Sequence, residues 1–209
     1  MKNVIVFSGP HGVGKTTIIK ELEKRNEDWV AVDEFFKYGE DPPVPVEDFL
    51  VVDDPKTKLE IERWIMKSFI NREQFITENI DAELILLDRD IADVVPYSIC
   101  MNIYPKIKKE LSQYVKRKTE LNPLLWFLID ADESVVEERL KKRGVKNLEK
   151  NMDYFKCVRL IYKDMWESLR AMNDRIFRVV QNNEDLDSVV TKVERIIRLA
   201  TENFKNIND

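Results

Sequence analysis

The sequence predicts an α/β fold in which helices cover both faces of a five-stranded parallel sheet, giving three layers. Short β-branched or apolar runs alternate with segments of helical periodicity, which is typical of parallel strands joined by helical crossovers. The first apolar run also leads directly into a glycine-rich loop and then into a helical pattern. The chain of 209 residues is long enough for one core of this kind. We therefore expect a single domain over residues 1–209.

Each element follows from the length, period and flanking residues of its run. Strands are predicted at 3–8, 29–33, 84–88, 124–130 and 176–180. Helices are predicted at 15–26, 57–80, 91–103, 106–118, 132–143, 150–172 and 186–205. The segment 37–57 shows no sustained period and holds four of the eight prolines. Long loops in compact domains are usually functional, so we expect this one to close over a bound substrate.

Residues 9–16 read GPHGVGKT, a complete match to the phosphate-binding pattern G-x-x-x-x-G-K-[ST] between a strand and a helix. Glycines there let backbone N–H groups surround a polyphosphate, and the following helix N-terminus adds positive charge. Lys15 is expected to reach the β- and γ-phosphates, and the Thr16 hydroxyl to ligate Mg²⁺. The predicted ATP-binding residues are Gly9, His11, Gly12, Val13, Gly14, Lys15, Thr16 and Thr17.

Polar residues stand where predicted strands end, and the carboxyl ends of parallel strands form the ligand-binding edge of such sheets. Strand two ends in Asp33-Glu34 and strand three in Asp88-Arg89. A carboxylate there can accept the proton of an attacking hydroxyl or hold a metal ion, and an arginine can neutralise a transferring phosphoryl group. Either acid of the first pair could be the working carboxylate. For Asp130, after strand four, we favour a helix-capping role.

Further cations are candidates for phosphate or substrate contacts. The segment 139–150 begins with five cations in eight residues, including Arg139 and Arg143. Cations at a helix C-terminus are favourable in their own right, but this density indicates a lid that folds over phosphates. Arg72 lies in the middle of a predicted helix, and the residue four positions later is apolar. The usual i,i+4 ion pair therefore does not account for it.

Composition narrows the class of protein. A net charge of −5 argues against a surface that coats nucleic acid, and no run approaches the roughly 18 apolar residues of a membrane span. The first predicted strand begins too early to leave room for a secretion signal. Cys100 and Cys157 have no metal-ligand spacing and are interpreted as isolated thiols of a reducing compartment. We expect a cytoplasmic protein without nucleic-acid or membrane partners.

In the same order and over nearly the whole chain, these elements resemble the thymidylate kinase and deoxynucleoside kinase group of P-loop phosphotransferases. Residues 88–97, DRDIADVVPY, are similar to a thymidylate kinase stretch with matching Asp, Arg and final Tyr. The resemblance implies a P-loop NTPase fold with strand order 2-3-1-4-5, a homodimer, and the cofactors ATP and Mg²⁺. It implies metal ligands Thr16 and Asp88, catalytic residues Lys15, Glu34, Arg89, Arg139 and Arg143, and substrate-binding residues Glu34, Phe35, Arg72, Arg89 and Tyr97.

The sequence departs from the thymidylate kinase pattern at several positions. Pro10-His11 stands where the group carries an acid in the phosphate loop, Asp33 replaces an arginine, and Asp90 replaces a tyrosine. The leading interpretation is transfer of the ATP γ-phosphoryl group to a deoxynucleoside monophosphate. The alternative is a deoxynucleoside kinase in which Glu34 is the general base on the 5′-hydroxyl. A nucleotide-operated switch and a non-catalytic ATP-binding module are the remaining hypotheses.

Overall fold

Five parallel strands form the central sheet in a computed structural model that describes residues 2–117, 120–173 and 176–208. The strands are β1 (Lys2–Ser8), β2 (Trp29–Val32), β3 (Leu84–Asp88), β4 (Leu121–Asp130) and β5 (Phe177–Gln181). Their order across the sheet is β2-β3-β1-β4-β5, and each neighbouring pair is parallel. The expected α/β fold and strand order are confirmed.

Helices connect the strands and cover both faces of the sheet. Within the described residues they are α1 (Lys15–Arg25), α2 (Pro55–Asn79), α3 (Val94–Cys100), α4 (Tyr104–Val115), α5 (Glu133–Lys142), α6 (Leu148–Met172) and α7 (Leu186–Asn208). The predicted helix 91–103 is divided, because Asp90 and Asp93 side chains accept backbone hydrogen bonds that form a separate 3₁₀ turn before α3. Residue 118 of the predicted helix 106–118 lies outside the described residues.

The core lies on both faces of the sheet, as the inner strands β1 and β3 show. On one face, Ile5 and Leu86 pack in a cluster that includes residues of α1 and α7. On the other face, Val6 and Ile85 pack in a cluster with Ile76 of α2. Burial of these apolar side chains stabilises the sheet between its helices. Since all strands run in one direction, their carboxyl ends meet at one edge, where ligands bind in such folds.

A disulfide between Cys100 and Cys157 joins the end of α3 to the middle of α6, with Cα atoms 6.0 Å apart. The interpretation of these cysteines as isolated thiols is wrong in this structure. They are 57 positions apart in sequence, and only the packing of α3 against α6 brings them together. In the described part of the chain, no helix combines the length and the apolarity that a bilayer crossing needs.

Candidate active site

The phosphate loop joins the carboxyl end of β1 to the N-terminus of α1. Gly9, Gly12 and Gly14 have φ angles of 136°, 80° and 93°, which residues with side chains rarely adopt. A Cβ on Gly9 would lie 2.2 Å from the backbone oxygen of Ile129 in β4. The glycines therefore let the backbone turn tightly against the sheet and present the loop at the positive end of α1, where an anion is stabilised.

Lys15 begins α1, and its ammonium group folds back over the phosphate loop. Nζ donates hydrogen bonds to the backbone oxygens of Gly9 at 3.1 Å and Pro10 at 2.9 Å. The residue is buried, and this burial lowers the pKa of the ammonium to about 8. The geometry holds a cation inside the loop, where the predicted contact with the β- and γ-phosphates requires one.

The two predicted metal ligands lie side by side. Oγ1 of Thr16 donates a hydrogen bond to Oδ2 of Asp88 at the end of β3. Oδ1 of Asp88 is buried and has no hydrogen bond to any described residue. Mg²⁺ prefers oxygen ligands and binds through one or two carboxylates together with substrate phosphates. The hydroxyl and the unsatisfied carboxylate oxygen therefore fit the ion that the phosphate loop implies.

Arg89 turns from the end of β3 toward the phosphate loop. Its φ of 67° is left-handed, a conformation that costs energy in a residue with a side chain and that clusters at functional sites. The buried guanidinium donates hydrogen bonds to the backbone oxygen of Gly9 at 2.9 Å and to Oη of Tyr97 at 3.0 Å. Its Nε lies 3.6 Å from the carboxylate of Glu34. The structure thus joins four of the predicted site residues in one network.

Glu34 is the acid of the Asp33-Glu34 pair that faces this network. Burial raises the pKa of Glu34, Asp88 raises it further, and Arg89 and Lys15 oppose the increase. The Asp33 side chain instead forms an exposed ion pair with Lys37. The sequence left open which acid works, and the structure brings Glu34 to the site. A carboxylate with a raised pKa is a stronger base toward a hydroxyl than one in water.

A cavity of about 180 Å³ opens beside Glu34 and Arg89. Aromatic and aliphatic side chains form most of its walls, and Phe35 packs on Phe69 with ring centroids 4.7 Å apart. Its polar lining consists of His11, Glu34, Glu62, Arg89, Asp93 and Tyr97. An apolar cavity with a few converging polar groups is typical of a small-molecule site. Its position beside the phosphate loop makes it the candidate acceptor site.

The predicted loop 37–57 lies over this cavity and contributes Phe49 to its wall. Trp64 on α2 donates a hydrogen bond from its indole to a backbone oxygen of the loop at 2.9 Å. Lys150 on α6 donates to the backbone oxygen of Val51 at 2.7 Å. The loop is therefore attached both to α2 and to the first turn of α6, where the predicted lid ends.

Arg72 lies inside the protein and does not line the cavity, although the resemblance implied that it contacts substrate. The residue is 1% exposed, and its guanidinium donates to the backbone oxygens of Asp88 and Arg89. A longer bond of 3.4 Å reaches the backbone oxygen of Asp33. Arg72 thus holds together the chain segments that leave β2 and β3. In this geometry it positions Glu34 and Arg89.

The predicted lid arginines lie on the other side of the phosphate loop from the acceptor cavity. Arg139 donates to the backbone oxygens of Val13 and Asn182, each at 3.0 Å. Arg139 and Arg143 line an open cleft together with Gly14 and Thr17. Their cations therefore face the nucleotide side of the loop. They do not add positive charge to the acceptor cavity.

The sequence reasoning missed several residues that complete the site. Asn182 directly follows β5 and donates from its side chain to the backbone oxygen of Val13 at 2.6 Å, so the strand-end rule could have found it. Tyr162 on α6 accepts a hydrogen bond from Arg89 at 3.3 Å. His11, by contrast, is one of the predicted ATP-binding residues, and burial lowers its pKa to about 4, so it is neutral at pH 7. No motif or spacing in the sequence indicates a role for Glu62.

The loop lysine, the hydroxyl–carboxylate pair and the strand-end arginine occupy one edge of a 2-3-1-4-5 parallel sheet. This combination defines a P-loop kinase of the nucleotide and nucleoside kinase group, as the sequence predicted. The chain belongs to the AAA domain family, whose characteristic sequence matches residues 4–169.

Known proteins with similar sequences or folds agree with this class. The chain is 25% identical over 202 residues to a guanylate kinase from Prochlorococcus marinus, covering 95% of this chain and 98% of that one. Its fold is similar to deoxyadenosine kinase from M. mycoides with bound dATP, with a TM-score of 0.69, 18% identity, and coverage of 93% and 99% of the two chains. The same kinase with dCTP gives a TM-score of 0.69 at 16% identity, covering 93% and 98%.

Proposed function

We propose that this protein transfers the γ-phosphoryl group of ATP to the 5′-hydroxyl of a nucleoside bound in the cavity under the 37–57 loop. The observation that carries the proposal is the charge of that cavity. Among its described lining residues, Arg89 is the cation, and the acids Glu34 and Asp93 lie 3.6 Å and 3.5 Å from it. A neutral nucleoside suits this lining better than an acceptor that already bears a phosphate.

Glu34 supplies the group that a hydroxyl acceptor needs. A nucleoside 5′-hydroxyl must lose a proton as it attacks, and a carboxylate in hydrogen-bond reach can take it. Arg89 pairs with Glu34 at 3.6 Å and also contacts the phosphate loop. It can therefore orient the base and offset charge on the transferring group. Mg²⁺ held by Thr16 and Asp88 would neutralise charge on the ATP phosphates when bound.

A deoxynucleoside monophosphate remains the second candidate acceptor. The spacing from Asp88 to Tyr97, which resembles thymidylate kinases, and the guanylate kinase relative both favour it. Against it, two of the arginines that the sequence predicted to contact phosphate or substrate lie outside this cavity. Arg72 holds backbone oxygens in the interior, and Arg139 lies on the nucleotide side. The structure therefore supports the nucleoside more strongly, which reverses the order that the sequence suggested.

A substrate panel tests the proposal. ADP release from ATP and Mg²⁺ is measured with each deoxynucleoside and ribonucleoside and with each 5′-monophosphate. We expect turnover with nucleosides and none with monophosphates. Turnover with monophosphates alone would make the second candidate correct. ATP hydrolysis without any acceptor would indicate a switch, and binding without turnover a non-catalytic module.

Replacing Glu34 by glutamine tests the base directly, because the change removes the proton acceptor at nearly constant size. We expect kcat for the best nucleoside to fall on the order of 10²–10⁴-fold, with little change in KM for ATP. Asp33→Asn is the matched control, since that neighbouring acid pairs with Lys37 at the surface. Equal activity of E34Q and D33N would show that Glu34 is not the base.

A further inference from the structure

Glu62 is a buried carboxyl group that the fold leaves without a partner. It lies on α2 and is 1% exposed, and neither of its carboxyl oxygens forms a hydrogen bond with any described residue. It nevertheless lines the acceptor cavity, on the same helix as Ile65 and Phe69. An unsatisfied buried carboxyl destabilises a protein compared with an apolar side chain of similar size. The fold itself therefore gains nothing from this group.

The charged residues of the cavity are paired with one another and do not satisfy Glu62. Arg89 lies 3.6 Å from the carboxylate of Glu34 and 3.5 Å from that of Asp93. Asp93 also accepts hydrogen bonds from Ser8 and from Tyr162. The acid–base network thus has its own internal contacts. Glu62 remains as a polar group of the cavity that is free to contact a ligand.

The environment also determines which form of Glu62 a ligand meets. Burial raises the pKa of this carboxyl to about 8, so it is protonated at pH 7. A protonated carboxyl offers one O–H donor and one carbonyl acceptor side by side. The complementary ligand edge presents one acceptor next to one N–H donor. A ring nitrogen beside an exocyclic amino group, as in adenine and cytosine, has this arrangement.

We propose that Glu62 is the specificity-determining residue of the acceptor site and that it pairs with the amino-and-ring-nitrogen edge of an adenine or cytosine nucleoside. The inference rests on the proposed nucleoside kinase function and adds the class of base to it. The O–H group donates to the ring nitrogen, and the carbonyl oxygen accepts from the amino group. Guanine presents two adjacent N–H donors on its pairing edge, which a carboxylate would match better than a protonated acid.

Two variants of Glu62 separate recognition from packing. Glu62→Gln keeps one donor and one acceptor in the same shape, whereas Glu62→Met keeps the volume and removes both. For deoxyadenosine and deoxycytidine we expect E62Q to retain kcat/KM within about threefold. We expect E62M to raise the nucleoside KM by about 10–100-fold, the usual effect of lost buried hydrogen bonds. KM for ATP should stay constant in both variants. Glu60→Gln is the control, because Glu60 is exposed on the same helix.

An analogue without the amino group gives a readout that a purely structural role would not change. Purine 2′-deoxyriboside lacks that group. For this analogue, the ratio of the E62M KM to the wild-type KM should be about tenfold smaller than for deoxyadenosine. Unchanged KM values in E62M with every nucleoside would overturn the inference. A different result would be that E62Q loses as much activity as E62M and that deoxyguanosine is the best substrate of wild type. This result would show that an ionised Glu62 recognises guanine instead.

The inference and the proposed function can fail separately. If wild type phosphorylates monophosphates and not nucleosides, the proposed acceptor is wrong. The same comparison of wild type, E62Q and E62M then uses the four deoxynucleoside monophosphates, which carry the same bases. If wild type turns over neither, equilibrium binding of deoxyadenosine and deoxycytidine to the three proteins replaces kinetics. Equal affinities of wild type and E62M would then overturn the inference.

Discussion

At the scale of single residues, the site depends on one arginine whose backbone is held in an unfavourable conformation. Arg89 has a φ of 67° and a buried guanidinium that contacts Gly9, Tyr97, Tyr162 and Glu34. These partners lie in several directions, so a planar group with several N–H donors fits where a point charge does not. The left-handed backbone is what directs this side chain from the sheet edge back to the phosphate loop.

Arg89→Lys should therefore lower kcat by about 10²–10³-fold, comparable with the loss of one transition-state donor. The lysine keeps the charge but cannot contact the phosphate loop and Glu34 together. KM for ATP should change much less than kcat. Steady-state kinetics at saturating nucleoside checks this, with the melting temperature measured in parallel. Equal effects on kcat and on ATP affinity would identify Arg89 as a ground-state binder.

Arg72 was predicted to contact substrate, but in the structure its guanidinium contacts backbone oxygens in the interior of the protein. Replacing it by methionine leaves the backbone oxygens of Asp88 and Arg89 without donors in the interior. Each such loss costs roughly 1–3 kcal/mol, so R72M should lower the free energy of unfolding by about 3 kcal/mol. Urea unfolding measures it. The control is Arg63→Met on the same helix, whose exposed pair with Glu110 should contribute less than about 1 kcal/mol. Equal stability of R72M and R63M would contradict the interior role.

At the scale of elements, the sheet and the phosphate loop could be predicted because their signals are local. β1 and the loop after it are one continuous stretch of sequence, and the other strands are short apolar runs with clear flanks. Asn182 directly follows β5, so the rule that polar residues at strand ends form the site also applies to it. By contrast, Glu62 stands one position after Ile61 on α2 and has no apolar period of its own. It lines a cavity whose wall also includes Phe49 of the 37–57 loop, an arrangement that no local pattern encodes.

The disulfide between α3 and α6 could not be predicted from the sequence either, because the pairing of two cysteines depends on how distant helices pack. The Cys100–Cys157 bond closes a loop of 57 positions. In the chain-entropy account, a loop of this length stabilises the folded state by about 4 kcal/mol at 25 °C.

Reduction with a phosphine should therefore lower the urea midpoint of wild type and leave a C100S/C157S double variant unchanged. The double variant should match reduced wild type, since both lack the closed loop. Two titratable thiols in native wild type, without any effect of the reductant, would show that the cysteines are unpaired in solution.

At the scale of the whole molecule, the acceptor cavity lies between elements that are distant in sequence. The phosphate loop, α2, α3 and the 37–57 loop each contribute to its wall. Lys150, in the first turn of α6, then joins that loop to this helix. The two halves of the site are thus connected through α6, which also carries Tyr162 beside Arg89. The expected homodimer stays a prediction, which the mass of the protein in solution would test.

The buried ionisable groups of the site also determine how the stability of the whole protein depends on pH. Folding raises the pKa of Glu62 from 4.5 to about 8, so between these values the folded state holds a proton that the unfolded state releases. Stability therefore falls as pH rises through this window. Folding lowers the pKa of His11 from 6.5 to about 4, which has the opposite sign and cancels much of the effect below pH 6.5.

Between pH 6.5 and pH 8 the contribution of Glu62 is no longer offset by His11, and each pH unit corresponds to about 1.4 kcal/mol. The free energy of unfolding of wild type should therefore fall by about 2 kcal/mol relative to Glu62→Gln over this range. His11 and Asp90, whose pKa burial raises to about 7, contribute equally to both proteins and cancel in the difference. Urea titrations of both proteins at several pH values measure the effect. Parallel stability curves from pH 6.5 to 8 would mean that Glu62 is ionised in the folded protein, and the base would then be read by a carboxylate.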